Sequence, residues 1–277
     1  MSGVESDANP PGVGFCLALG LYVASWVAPA AALAAGTVTT DAAVRYLALL
    51  AAGTVVTVVV ALLARRDPGL DVRAGRTAWL GALPALPFVW FPAGVVAATG
   101  RGDGGAVVAL SMVGAVAGLA GGLALVSAAR NRYADVALAA TTERTRVTAR
   151  WPPRVRRASA AVAGVGVAVG AAGALLAVLG GPGYERAFYA VYVVPVVTST
   201  LTWTWTERTV VVTDAGVGIE RGFVRRFRTR DGWTSVRLTD DAVVLGRAGW
   251  RPAMRLDRAD VPDAAAFVEA TALPRAG

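Results

Sequence analysis

Residues 42–64 read AAVRYLALLAAGTVVTVVVALLA, with a single charged side chain, Arg45, close to the start. The centre, Thr54 to Val60, is β-branched and in isolation fits a buried strand. Length decides against that reading. An uninterrupted apolar run of about 20 residues is what a helix needs to cross a hydrocarbon core of roughly 30 Å, whereas strands end after about 4–8 residues. Once this stretch is a spanning helix, lipid is the solvent for it and for every segment like it.

Five more runs share its character: residues 13–35, 78–99, 105–129, 158–179 and 187–205. Short links, 36–41, 100–104 and 180–186, join them in pairs, which predicts six transmembrane helices arranged as three hairpins. The third run contains Pro84, Pro87 and Pro92 and must be kinked, because each proline removes a backbone donor and presses on the preceding turn. A carbonyl-lined cavity at such a break is the transporter alternative. The sixth contains Pro195 and ends in Trp203 and Trp205, the residue type that settles at the headgroup level. Residues 1–12 are polar, contain Pro10-Pro11-Gly12 and read as a disordered tail. That tail carries Glu5 and Asp7 and no Arg, so the first run reads as an uncleaved helix and not as a signal peptide, which has a basic start.

Composition agrees. Only 17% of the 277 residues are charged and 55% are hydrophobic, where a soluble domain has about 25% charged residues. Net charge is +8, there is no Lys, and the arginines crowd into a few places. The 65–76 link carries Arg65, Arg66, Arg73 and Arg76, and the Arg-rich 130–157 link carries eight, from Arg130 to Arg157. The C-terminal segment adds Arg208, Arg221 and more, while the three links inside the hairpins hold only Arg101 and Arg186. Arginine-rich and arginine-poor links alternate strictly, so the positive-inside rule puts both termini in the cytoplasm of a multi-pass protein of the cell membrane.

After Trp205 the pattern switches to short strands and turns. Thr209–Thr213, Val217–Glu220, Phe223–Thr229, Trp233–Thr239, Ala242–Arg247 and Arg251–Leu256 are predicted strands, separated at Asp214-Ala215-Gly216, Asp231-Gly232 and Asp240-Asp241. A helix is predicted from Pro262 to about Leu273, with Asp260 as its cap and Phe267, Ala270 and Leu273 facing a core. These strands and the closing helix, with Val-Thr-Asp-Ala-Gly-Val at 212–217 and Asp-Gly-Trp-Thr-Ser-Val at 231–236, resemble the bacterial and archaeal pleckstrin-homology-like (PH-like) domains over residues 207–273. The resemblance implies a cytoplasmic α+β domain, 206–277, on a membrane anchor, 13–205. It also implies seven strands where five or six are read, so the barrel is either incomplete or closed by the 130–157 link.

No site of catalysis emerges. The absence of His removes the commonest general base and most metal sites, and one cysteine, Cys16, permits no internal disulfide. The sequence therefore gives a non-enzymatic protein with no catalytic residue, cofactor or metal and no nucleic-acid partner. Arg221, Arg225, Arg226, Arg228 and Arg230 form the one candidate contact site, for anionic lipid headgroups or a protein partner. Its bland explanation is a set of solvated arginines obeying the topology rule. Gly114, Gly118 and Gly122, and likewise Gly166, Gly170 and Ala174, have the spacing of close helix packing. The expected function is a membrane protein whose PH-like domain mediates interaction with a protein or the lipid surface; the alternative is a transporter or channel for a small solute. Oligomeric state does not follow from the sequence.

Overall fold

The computed structural model describes residues 9–99, 104–179, 204–249 and 252–271. It divides into two compact units, Met1–Ala140 and Thr141–Gly277. Residues 187–203 of the predicted sixth span, Arg186, and residues 100–103 of the predicted 100–104 link lie outside the described residues.

The first unit contains α1 (Val13–Ala35), α2 (Ala42–Ala64), α3 (Leu70–Arg76), a 3-10 segment (Ala78–Val89), α4 (Trp90–Ala98) and α5 (Gly104–Ala139). Among the described residues of the whole chain, α1, α2, α5 and the later α6 are long and apolar enough to cross a membrane. The helical region thus holds four candidate spans. The predicted third span is instead a 3-10 stretch followed by a short α-helix. α1 and α2 form the expected hairpin. Arg45 reaches back from α2 to Gly36 O at 3.4 Å and Thr39 O at 3.2 Å, satisfying carbonyls at the end of α1. Along α2, Leu47, Val55 and Leu62 stay exposed, an apolar face that lipid suits and water does not.

The proline-rich stretch is packed rather than opened. Pro84 and Pro87 lie on the buried side of the 3-10 segment. A Cβ on Gly122 would meet Pro84 Cα at 2.8 Å, one on Gly118 Pro87 Cγ at 2.4 Å, and one on Gly114 Trp90 Cδ1 at 3.4 Å. Three residues of 3-10 helix rise about 6 Å, as do four residues of α-helix. The three-residue spacing 84, 87, 90 therefore stays in step with the four-residue spacing 122, 118, 114 running the other way. The glycine stripe of α5 is a row of holes for these knobs.

At one end of this unit Asp71, fully buried in α3, accepts from the backbone N of Gly12 at 3.1 Å and faces Arg132 at 3.8 Å. Pro11 is buried and its carbonyl lies 3.8 Å from Cys16 Sγ, so residues 11 and 12 belong to the packed unit and not to a disordered tail. Gly75 of α3 fits against Ala129 and Tyr133 of α5. The start of α1, the 65–76 link and the far end of α5 thus meet at one end of the unit.

The 130–157 segment is not a loop. α5 carries on to Ala139, about 54 Å of helix, β1 spans Glu143–Ala149, and α6 begins at Pro153, a residue suited to a first turn, and runs to Leu179. The remaining strands are β2 (Arg208–Thr213), β3 (Gly216–Arg221), β4 (Val224–Thr229), β5 (Trp233–Leu238), β6 (Ala242–Arg247) and β7 (Met254–Asp257), followed by α7 (Ala264–Thr271). They form two antiparallel sheets, β1-β2-β3-β4 and β5-β6-β7. The seventh strand is β1, supplied by the 130–157 segment and paired with β2 through Val147 opposite Val210 and Ala149 opposite Arg208.

Alternation sorts each strand into an inner and an outer face. Val147, Val210, Val212, Val217, Val243, Leu245, Met254 and Leu256 point inward and meet Phe267 of α7 in one core. Asp263, not Asp260, accepts from the first turn of α7, at Ala266 N, 2.9 Å away; Asp260 holds Arg150 N at 2.9 Å. Of the three helix residues expected to face a core, Phe267 does, Ala270 is half-buried and Leu273 lies outside the described residues.

Two outcomes check this architecture. Gly118→Val is expected to cost roughly 1–3 kcal/mol by overpacking, read as a lowered unfolding midpoint in detergent, while Gly105→Val, whose Cβ meets nothing within 4 Å, leaves the midpoint unchanged. Residues 206–277 expressed alone lack β1 and are expected to show no cooperative thermal transition by circular dichroism; joining 141–152 to 204–277 through a short flexible linker restores it. A cooperative transition in 206–277 by itself would show β1 to be dispensable.

Candidate functional site

The β3–β4 hairpin turns through Gly222 and Phe223, with Arg221 opposite Val224. Gly222 has φ +53°, which glycine adopts at little cost at the first central position of a two-residue turn. Phe223 stands at the tip, 85% exposed. From there β4 runs as an edge strand, a position where charged side chains also discourage pairing with another chain.

The period of two divides the five candidate arginines. Ile219 is opposite Arg226 and Val217 opposite Arg228, so Arg226 and Arg228 share the face of the core valines, as Arg221 does two residues beyond Ile219. Arg225 is on the outer face, opposite Glu220, with Nε 3.8 Å from its carboxylate. Arg230 lies past the far end of β4, in the Arg230–Gly232 turn, where its backbone N bonds Ala215 O at 3.2 Å. The five are therefore not one surface: Arg221 and Arg226 come together, Arg228 sits one step further along, and Arg225 and Arg230 are elsewhere.

Two arginines that the sequence reading left out complete the group. Arg208 opens β2 in phase with Val210 and Val212, and Arg247 closes β6 in phase with Val243 and Leu245, so both occupy inward positions at the end of the core. Arg208 is buried, 5% exposed, with its guanidinium carbon 4.3 Å above the ring of Trp151. Arg247 lies 5.8 Å over the ring of Trp233. Flat, weakly hydrated guanidinium groups stack well on indole faces. The indole N–H groups of Trp151 and Trp233 are both buried and find no acceptor among the described residues.

The electrostatics follow from this crowding. Burial drives the Arg208 pKa down to about 10, and Arg221, Arg247 and Arg226 each push it the same way. Burial and the neighbouring Arg226 also lower that of Arg221. Arg208 thus feels three like charges, and Arg221 feels that of Arg226, at the end of the core. Outer-face arginines are placed differently. Arg146 bonds Glu143 at 3.0 and 3.1 Å and lies 3.6 Å from Glu220, and Arg150 bonds Glu207. These pairs are exposed and contribute little to stability.

Elsewhere in this unit an open concavity of about 750 Å³ is lined by Asp240, Asp241, Asp257, Asp263 and Arg258, among others. Its acids have structural work: Asp257 accepts from Ala259 N at 3.1 Å and faces Arg156 at 3.4 Å, Asp263 starts α7, and Asp241 lies 3.9 Å from Arg154. A turn role was the sequence expectation for Asp240 and Asp241. Among the described residues no three acidic, Cys or His side chains form a group able to hold a metal ion.

The chain matches no family model, no curated protein and no solved structure.

Mutual repulsion makes a distinct prediction. Arg226→Gln removes an exposed charge that acts on Arg208, so the unfolding midpoint is expected to rise at low salt and the gain to shrink as salt screens the remaining charges. Arg208→Gln loses the stacking on Trp151 and is expected to lower it. Equal effects of the two substitutions at every ionic strength would show that the arginines do not sense one another.

Proposed function

We propose that this chain is a multi-pass membrane protein with both termini in the cytoplasm, whose C-terminal PH-like module mediates contact with the lipid surface or a protein partner there. The observation that carries the reading is the pairing of β1 with β2. It requires the segment after α5 and the segment after residue 204 to occupy one compartment. A chain that leaves that compartment through α6 must return before Thr204, the crossing assigned by sequence to residues 187–205. The meeting of Gly12, Asp71 and Arg132 at one end of the helical unit supports the same sidedness for the N-terminus and the first arginine-rich link.

Seven strands in two sheets, closed by a C-terminal helix, are the arrangement that the PH-like resemblance implies, and they support an interaction module in preference to an enzyme. The meshing of Pro84 and Pro87 with Gly122 and Gly118 favours a structural role for the third segment over a transport cavity.

Reporter fusions test the sidedness. A reporter at the C-terminus is expected to behave as cytoplasmic and one inserted at residues 37–40 as external. External activity of the C-terminal fusion would sink the proposal.

A further inference from the structure

The inward arginines gather beside the junction with the membrane. Trp151, under Arg208, is two residues before the first residue of α6, at most about 7 Å of extended chain, and the candidate span begins there, at Pro153–Ala172. At the same end, Phe223 projects from the tip of the β3–β4 hairpin between Arg221 and Val224, and Trp205, three residues before Arg208, is 55% exposed. Phe223, 85% exposed at the turn tip, suits the acyl boundary of a bilayer, with arginines at the headgroup level behind it.

Resting on the membrane-surface reading above, we propose that Arg208, Arg221, Arg226 and Arg247, with the indole N–H groups of Trp151 and Trp233, form a binding site for the phosphate of an anionic phospholipid, and that Phe223 seats the hairpin in the same leaflet. The chemistry fits a phosphate. Guanidinium groups offer paired N–H donors matched to its oxygens, and bonds between charged partners are the stronger ones. A dianion set among four like charges offsets the repulsion that Arg208 feels from its neighbours. Stacking on Trp151 and Trp233 holds two of the guanidinium groups in place before the ligand arrives. Phosphate as a free anion would use the same donors; the exposed Phe223 and Trp205, and the closeness of α6, favour the lipid.

The test uses the full chain in detergent micelles, with the unfolding midpoint followed as probe is added. Phosphatidic acid dispersed in the micelles is expected to raise the midpoint, inorganic phosphate to do so with a half-saturation at least about tenfold weaker, and phosphatidylcholine to leave it unchanged. Arg226→Gln is expected to weaken both anions about tenfold, as the loss of one charge-assisted contact does, although the same substitution stabilises the protein without ligand. Arg225→Gln, on the outer face, retains the wild-type response, and Phe223→Ser loses affinity for phosphatidic acid alone. Arg225→Gln and Arg226→Gln acting alike, or neither acting, would overturn the site. Phosphate binding as tightly as phosphatidic acid would overturn the lipid as its source. If no anion shifts the midpoint while the reporters still place the module in the cytoplasm, the site is refuted and the surface reading stands for a protein partner.

Discussion

The pairing of β1 with β2 is the constraint on which the second unit depends. It joins Thr148 to Thr209, 61 positions apart, through their hydroxyls at 2.9 Å. Closing so long a loop costs about 2 kcal/mol more than closing a five-residue turn if the loop is flexible. The intervening chain begins as α6, so part of that ordering belongs to helix formation and is not charged to the sheet. In return Val147 and Ala149 fill the core beside Val210, and Ala149 arrives opposite Arg208, which carries Trp151 to the guanidinium. Without this strand the sheet loses its fourth member and Arg208 loses the ring beneath it.

Much of this unit was legible because its strands obey strict local rules. β6 has the bounds read from sequence, and β2 to β5 differ by a residue or two. The turn at Thr213–Gly216 shows the chemistry behind the motif. Thr213 Oγ1 accepts from Gly216 N at 3.1 Å and donates to Gly216 O at 3.0 Å, while a Cβ at 216 would lie 2.1 Å from Arg228 O. Thr239 repeats the pair of bonds with Ala242, so Thr-Asp-x-small is a turn used twice. β1 was hidden for the opposite reason. Glu143-Arg-Thr-Arg-Val-Thr-Ala149 sits on a sheet edge and shows only Val147 and Ala149 to the core, and the positive-inside rule already accounts for its arginines. The arrangement of the arginines was half legible: proximity in sequence grouped Arg221 and Arg226, which share a strand face, but joined them to Arg225, which period two sends to the other face. The signal for Arg208 and Arg247 was present, since each stands two residues from an inward Val or Leu in a strand already identified.

In the helical unit the decisive feature is a match of pitch. Prolines spaced by three suit a 3-10 segment, whose hydrogen bonds run to a different carbonyl from those of an α-helix, and glycines spaced by four suit the facing α-helix. The rises agree, so contact is kept over three successive steps from Pro84 to Trp90. A proline-broken span can line a cavity or fill a groove; the absence of side chains on the facing helix selects the second. The glycines of α5 therefore serve contact within this unit.

The arginine cluster contrasts with the outer face of the β unit, where Arg146 lies beside Glu143 and Glu220 and Arg150 beside Glu207, and with a core that is mainly aliphatic. At one end four arginines turn inward, one of them buried, each near another of the same sign. Stability alone does not favour this: an aliphatic residue in place of Arg208 would continue the core with no charge to desolvate. Stacking on Trp151 and Trp233 lessens the penalty but does not remove the repulsion, which is strongest where water is scarce. Evolution tends to retain such local cost where binding returns it. The position of the cluster bears on the proposed ligand, because Trp151, on which Arg208 stacks, is two residues from the first residue of α6. On the proposed lipid reading, a site fixed there would meet the phosphate layer wherever α6 crosses a bilayer. Anchor and module thus meet at one short stretch of chain, and the charge gathered at that stretch has the sign of an anionic headgroup's partner.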